Sequence, residues 1–227
     1  MRKLILTAVL TCLLTWPLTC VTQPLVLSHN DAFDSYYDLG TKCPALVVWT
    51  LKYKDFQGNL KPTSRHFKTD TKLPPPRVKD RHLKGTGYVR GHMCPAGDRD
   101  TDKALLKQTY LTSNMVPMTM VCNSGAWKAV EDSVRTIAKT HHTVLTAAGT
   151  IFTDSIIGLY AVNSISVPAA FFRIARCTAH PQEIWIWIVQ NSQSGAKPVR
   201  VGTNELQDVL HSRVNVLNLL KNLQLID

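Results

Sequence analysis

Glu183 to Gln190 reads Glu-Ile-Trp-Ile-Trp-Ile-Val-Gln. Side chains alternate along an extended strand, so Ile184, Ile186 and Ile188 lie on one face and Trp185, Trp187 and Val189 on the other. Water on either face would meet large apolar groups, and the strand is therefore expected at the centre of a sheet covered on both sides. That requirement selects a layered fold. Pro44 to Leu51, Thr143 to Phe152 and Ser164 to Arg176 are short apolar runs rich in β-branched residues and read as further strands. Hydrophobic residues make up 44% of the 227-residue chain, enough for one domain with a sizeable core, and no internal repeat or low-complexity linker divides it.

Three stretches have helical spacing. Asp100 to Leu111 places Ala104, Leu105, Gln108 and Leu111 on one face, with Thr101 as a candidate cap. Asn123 to Thr140 turns Trp127, Val130, Val134, Ile137 and Ala138 toward a core, and His141 and His142 follow where they complement the negative end of the helix. Asn204 to Leu220 closes the chain as an amphipathic helix packed on the sheet. Leu73-Pro74-Pro75-Pro76-Arg77 can be neither helix nor central strand.

Two segments carry chemistry. Gly85 to Asp98 brings Arg90, His92 and the Asp98 carboxylate close together among glycines and a proline. Phosphate chemistry uses all three groups, because an imidazole takes a proton near neutral pH and a guanidinium two residues away on the same strand face holds a phosphate oxygen. A strand running into a Pro-Ala-Gly-Asp turn with solvated charges explains the same residues. Further on, Asn123, Trp127, Glu131 and Arg135 recur every four residues and form a drifting helical stripe. An amide oxygen, a carboxylate and a guanidinium on one face suit a hydrated magnesium ion with a phosphate beside it, although Glu131 and Arg135 can also be a plain i,i+4 pair.

Together the segments resemble the DNA/RNA non-specific endonucleases of the ββα-metal (His-Me finger) superfamily. The likeness rests on Arg90-Gly91-His92, then Asn114 and Pro117, then Asn123-x-Gly125-x-Trp127-x-x-x-Glu131, and extends to Val167-Pro168 with Phe171-Phe172-Arg173. It implies an α+β fold with a central, mostly antiparallel sheet flanked by helices. It also implies hydrolysis of phosphodiester bonds in DNA and RNA with little sequence preference. His92 would be the general base and Asn123 the ligand of Mg²⁺, with Mn²⁺ as a substitute. Glu131 would orient metal-bound water, Asn114 would help position the site, and Arg65, Arg90 and Arg135 would neutralise phosphate oxygens, Arg65 matching an Arg-x-x-Lys-x-Asp context. Two positions depart from the family pattern: Val89 stands where Asp is usual and Met118 where Gln is usual. A non-catalytic, secreted nucleic-acid-binding protein on a degenerate nuclease fold is the alternative, though such a binder needs neither a base nor a metal ligand.

Met1-Arg2-Lys3 and the apolar run Leu4 to Leu14 read as a signal peptide over residues 1–22, cleaved near residues 20 to 23, with a lipoprotein reading through Cys20 as the lesser alternative. Residues 23–227 would then be a single secreted or periplasmic domain without stable membrane insertion, for which a homodimer is compatible and an inhibitor protein unassigned. The formal charge of +10 falls to +8 when Arg2 and Lys3 are lost, which suits an acidic partner such as nucleic acid. Neither Cys-x-x-Cys nor His-Glu-x-x-His occurs, so a zinc site has no support in the spacing. Cys43, Cys94, Cys122 and Cys177 remain after cleavage. If the mechanism brings His92 and Asn123 to one phosphate, Cys94 and Cys122 should approach each other, predicting a Cys94–Cys122 disulfide with Cys43–Cys177 as the weaker second bond. Buried free thiols are the competing expectation.

Overall fold

Strand β3 (Cys43–Lys52) shows how the two-sided apolar pattern is met. From Cys43 to Trp49 every residue is buried, with Val47, Trp49 and Leu51 in one apolar layer and Leu46 and Val48 in another. The computed structural model describes residues 24–62, 66–153, 161–162 and 165–227, the pair 161–162 by backbone alone. In chain order the strands are β1 (Val26–His29), β2 (Asp34–Asp38), β3 (Cys43–Lys52), β4 (Val89–His92), β5 (Met115–Met118) and β6 (Thr143–Ile151). They continue with β7 (Ala161–Val162), β8 (Ile165–Ser166), β9 (Ala170–Cys177), β10 (Ile184–Gln190) and β11 (Val199–Val201). The α-helices are α1 (Lys103–Gln108), α2 (Met120–Cys122), α3 (Lys128–His141), α4 (Thr203–Val209) and α5 (Val214–Asn222).

Seven strands form one sheet in the order β1-β2-β3-β6-β9-β10-β11, antiparallel at every pairing. One face carries α3, which buries Val130, Val134 and Ala138 against it, together with the separate hairpin-like pair β4·β5. Each such valine contributes about 1.5–3 kcal/mol of burial. The other face carries α4 and α5 through Leu206, Leu210, Val216 and Leu220. The expected α+β sheet flanked by helices is therefore present. Among the described residues no helix is long and apolar enough to cross a membrane.

Several local expectations need correction. Strand β10 does use both faces, but it lies one strand from the edge, beside the three-residue β11. A short cover strand and flanking helices bury Ile186, Trp187 and Val189, while Ile184, Trp185 and Ile188 stay half-buried. The run from Ser164 to Arg176 is two strands, because Pro168 lacks the N–H a continuous ladder needs. The helix before the asparagine segment is shorter than Asp100 to Leu111, and Asp102, not Thr101, caps it by accepting from the amides of Ala104 and Leu105. The C-terminal helix is broken between α4 and α5. On one continuous helix Val216 would stand roughly 80° out of phase with Leu206; the break, at which Arg213 pairs with Asp38 at 3.0 Å, resets the phase and returns Val216 to the sheet. Helix α3 includes His141, whose Nε2 lies 3.5 Å from Glu183, while His142 closes the helix at a φ of 62°.

The disulfide expectation fails at both pairs: Cys43, Cys94, Cys122 and Cys177 are all free and buried. Cys177 sits opposite Val144 at one end of β6, whereas Cys43 lies past Leu46↔Gly149 toward its other end, roughly 25 Å away at the usual strand rise. The segments of Cys94 and Cys122 do approach, but Trp127 makes the contact, donating from Nε1 to the His92 carbonyl at 3.0 Å. The Cys94 sulfur turns instead toward the Ala32 carbonyl, 4.0 Å away. Burial pushes the Cys94 thiol up to about 12 and the Cys122 thiol up to about 11, so both pack as small apolar groups.

Candidate active site

Strand β4 delivers His92 to the end of a two-stranded ladder in which His92 faces Met115 and Gly91 faces Val116. Gly91 is needed for the close approach: a Cβ there would come within 2.8 Å of the Met118 side chain. The imidazole packs 4.8 Å from the Phe67 ring and edge-on to Tyr110 at 4.7 Å. Burial lowers its pKa to about 4, so the ring is neutral at physiological pH. Nε2 is enclosed and without a hydrogen-bond partner among the described residues, which leaves Nδ1 as the nitrogen through which the ring meets the cleft.

Asn114 lies behind the histidine, fully buried. Its Oδ1 accepts from the Cys94 amide at 2.8 Å. Its Nδ2 donates to the carbonyls of Cys94 at 2.8 Å and Thr109 at 2.9 Å. The side chain thus staples the turn after His92 to the end of α1 and is fully buried, with no surface to offer a ligand.

Thr119 starts the asparagine helix by accepting from the Cys122 amide. The chain then passes through a π turn at Asn123–Trp127 into α3. The wider turn offsets part of the drift that a four-residue spacing accumulates on a regular helix. Asn123, Glu131 and Arg135 therefore line one cleft of about 830 Å³ with His92, Tyr110, Lys128 and the Pro95–Gly97 turn. Trp127, on the same stripe, is buried and holds the His92 backbone. Lys128 was not anticipated; it is exposed and pairs with Asp132.

The carboxylate of Asp98 is not a cleft group. It is fully buried beneath the site and accepts from Trp49 Nε1 at 3.1 Å, Arg135 Nε at 2.8 Å and Arg173 Nη2 at 3.5 Å. Arg173, on β9, is also fully buried; it donates to the Met93 carbonyl at 3.1 Å and lies 4.5 Å over the Trp49 ring. A charge set between Phe171, Phe172 and Ile174 in β9 was the available signal for this role. Arg135 is further held by Asp132 at 3.0 Å and stands 3.9 Å from Glu131. Burial raises the Glu131 carboxyl to about 7 against the pull of Arg173 and Arg135. The result is a preorganised cationic wall whose guanidinium cannot easily swing away.

Arg90 is placed differently from the expected phosphate contact. It is not among the described lining residues of the cleft and pairs with Asp80 at 2.7 Å. Asp80 also accepts from the Phe67 amide at 3.0 Å, so Arg90 braces the segment that carries Phe67 against the histidine. Arg65 lies outside the described residues, as does the leader over residues 1–22. The two departures from the family pattern are one feature in space, because Val89 and Met118 are direct partners across the β4·β5 ladder. Met118 is fully buried and Val89 packs on the core, so an apolar pair occupies both positions together.

The donors at the cleft are hard oxygens, an Asn123 amide and a Glu131 carboxylate, and among the described residues no group of three or more His, Cys, Asp or Glu could hold a metal ion. That set fits a cation that retains most of its water, such as magnesium, and does not fit zinc.

Known proteins resemble the chain in sequence and in fold. The chain is 25% identical over 197 residues to the mitochondrial nuclease EXOG of Xenopus laevis, covering 79% of this chain and 53% of that protein. It is 31% identical over 99 residues to nuclease C1 of Cunninghamella echinulata var. echinulata, covering 40% of this chain and 39% of the relative. The chain thus spans about half the length or less of these curated relatives. In fold it is similar to a chain of the EndoG/EndoGI complex, with a TM-score of 0.70 at 22% identity over 82% of this chain and 83% of that one. The family model of the DNA/RNA non-specific endonucleases matches residues 22–222, up to the end of α5, and the protein belongs to that family.

Proposed function

We propose that this protein is an exported, magnesium-dependent endonuclease that hydrolyses phosphodiester bonds in DNA and RNA with little sequence preference. The observation that carries the reading is the convergence of His92, Asn123, Glu131 and Arg135 on one cleft. His92, neutral with its proton on Nε2, accepts a proton at Nδ1 from the attacking water, an effect worth about 10²–10⁴-fold. Arg135, held by Asp98 and Asp132, meets the negative charge of the phosphate. Asn123 would hold Mg²⁺ directly and Glu131 would orient water on it. When bound, the ion supplies positive charge for the phosphate and the departing oxygen. Arg65 is assigned a phosphate contact by family likeness, and Arg90 a bracing one. Contacts confined to phosphate and sugar carry no direct sequence readout.

Incubation of the purified protein with supercoiled plasmid and with RNA, with and without EDTA, tests the reading. Cleavage of both with magnesium and of neither with EDTA is expected; intact substrates in the presence of magnesium would refute it. Asn123→Ala should raise the magnesium requirement, with part of the lost rate recovered at high Mg²⁺. Export rests on the leader-like residues 1–22 alone. N-terminal sequencing of secreted protein should find a chain starting close to Gln23, and an intact Met1 would refute processing.

A further inference from the structure

A second, smaller cavity of about 290 Å³ adjoins the catalytic cleft, and Tyr110 lines both. Lys61, Lys68, Lys103 and Lys107 line it together with Pro62, the buried Leu106 and His66, which faces Asp80 at 3.3 Å. Lys103 and Lys107 stand one turn apart on α1. Lys68 is fixed by its backbone, donating to the Tyr110 carbonyl at 2.7 Å and accepting from the Thr112 amide at 2.9 Å. Among the described lining residues none is a carboxylate and all four lysines are exposed, and Lys128 is the only ion-paired lysine among the described residues. Four like charges around one apolar hollow repel each other until an anion arrives. The hollow itself, with Leu106, Pro62 and the Tyr110 ring, suits a flat apolar group and not a bare ion.

We propose that this cavity receives an unstacked base with its flanking phosphate, adjacent to the bond cut in the cleft, so that the protein prefers single-stranded nucleic acid to duplex. The proposal rests on the phosphodiesterase reading above and names its substrate class. In a duplex both faces of a base are covered by its neighbours, and it cannot reach the apolar wall; in a single strand it can, while lysines follow the backbone. Tyr110 joins the two sites: its ring stands T-shaped to that of His92 with centroids 4.7 Å apart, so a strand leaving the cleft past Tyr110 enters the lysine cavity next.

The test uses the full chain and its Lys103→Ala/Lys107→Ala variant, with fluorescence anisotropy on a single-stranded 12-mer and the corresponding duplex in EDTA. The wild type should bind the single strand about tenfold more tightly than the duplex. The variant should lose about tenfold on the single strand, little on the duplex, and its salt slope should fall by about 1.4, or about 0.7 for each lysine. An abasic nucleotide walked along the 12-mer should weaken wild-type binding at one position. Both proteins should hydrolyse bis(p-nitrophenyl) phosphate with Mg²⁺ at equal rates, since that ester is too small to reach the lysines. Equal losses on single strand and duplex, or no sensitive abasic position, overturn the proposal. Hydrolysis of the small ester with undiminished single-strand binding by the variant overturns the cavity alone, whereas no hydrolysis by either protein overturns the activity on which it rests.

Discussion

Strand β9 divides the molecule into two unlike halves. Phe171, Arg173 and Ala175 turn toward α3 and the cleft, whereas Phe172 and Ile174 turn toward α4 and α5. The second half is hydrocarbon packed on hydrocarbon, through Leu206, Leu210, Val216 and Leu220. The first buries two opposite charges, Asp98 and Arg173, at zero exposure and suspends Arg135 from one of them. Apolar packing loses stability in proportion to the volume removed. A buried ion pair differs, because deleting one partner leaves the other charge uncompensated. One half therefore holds the sheet together, and the other uses part of that stability to hold a cationic wall in place.

The largest effect expected is on chemistry without structure. His92→Ala should lower phosphodiester cleavage by about 10²–10⁴-fold while thermal unfolding and nucleic-acid binding stay near wild type; activity within a few-fold of wild type would remove His92 from the mechanism. A paired measurement then separates the two halves. Asp98→Ala should cost about 3–5 kcal/mol of stability by stranding Arg173 and should also abolish cleavage in whatever protein remains folded, because Arg135 loses its anchor. Leu220→Ala should cost a comparable 2–5 kcal/mol, yet leave kcat of the folded fraction unchanged. If urea unfolding and kcat respond alike in both variants, the division of labour is wrong.

A pH profile sharpens the comparison from the cleft side. Burial places His92 at about 4, below its ordinary value of about 6.5. The neutral ring is the active form, so the acid limb that belongs to His92 should fall only below about 4, whereas protonation of Glu131, which burial raises to about 7, should weaken the rate as pH falls through about 7. Glu131→Gln should remove the limb near 7 and leave the one near 4; a limb near about 6.5 that survives this substitution, in protein shown to be folded by circular dichroism, would mean that the His92 ring is solvated during turnover. The smallest effect belongs to Arg90. Its pair with Asp80 is part-exposed, so Arg90→Ala should cost about 1 kcal/mol or less and change cleavage only a few-fold. A loss as large as that of His92→Ala would return Arg90 to the phosphate.

The motif residues and the long strands β3, β6 and β10 were legible in the sequence for a local reason, whereas the outer strands β1, β2 and β11 were not. Alternation in Val47, Trp49 and Leu51 against Leu46 and Val48 is written in neighbouring residues, and so is the spacing that brings Asn123, Glu131 and Arg135 to one helix face. Asp98 was legible as a carboxylate near the histidine but not as the anchor of Arg135, since its partners Trp49 and Arg173 lie 49 and 75 residues away. The disulfide expectation failed on the same ground. Proximity of Cys94 and Cys122 followed from the motif, but the direction of each sulfur depended on Trp127 and on the Ala32 carbonyl.

By itself the sequence determined the periodicities, hence the long strands, the core side of α3 and the order in which a base, an amide and a carboxylate are offered to a phosphate. Tertiary structure alone decided which of those groups face the cleft. It turned Arg90 outward to Asp80, enclosed Asn114 and Asp98 as supports, brought Arg173 beneath the site, and set four lysines around one hollow beside Tyr110. The physical reason is that a side chain's charge state and direction depend on what surrounds it, and those surroundings are assembled from distant segments only when the sheet closes.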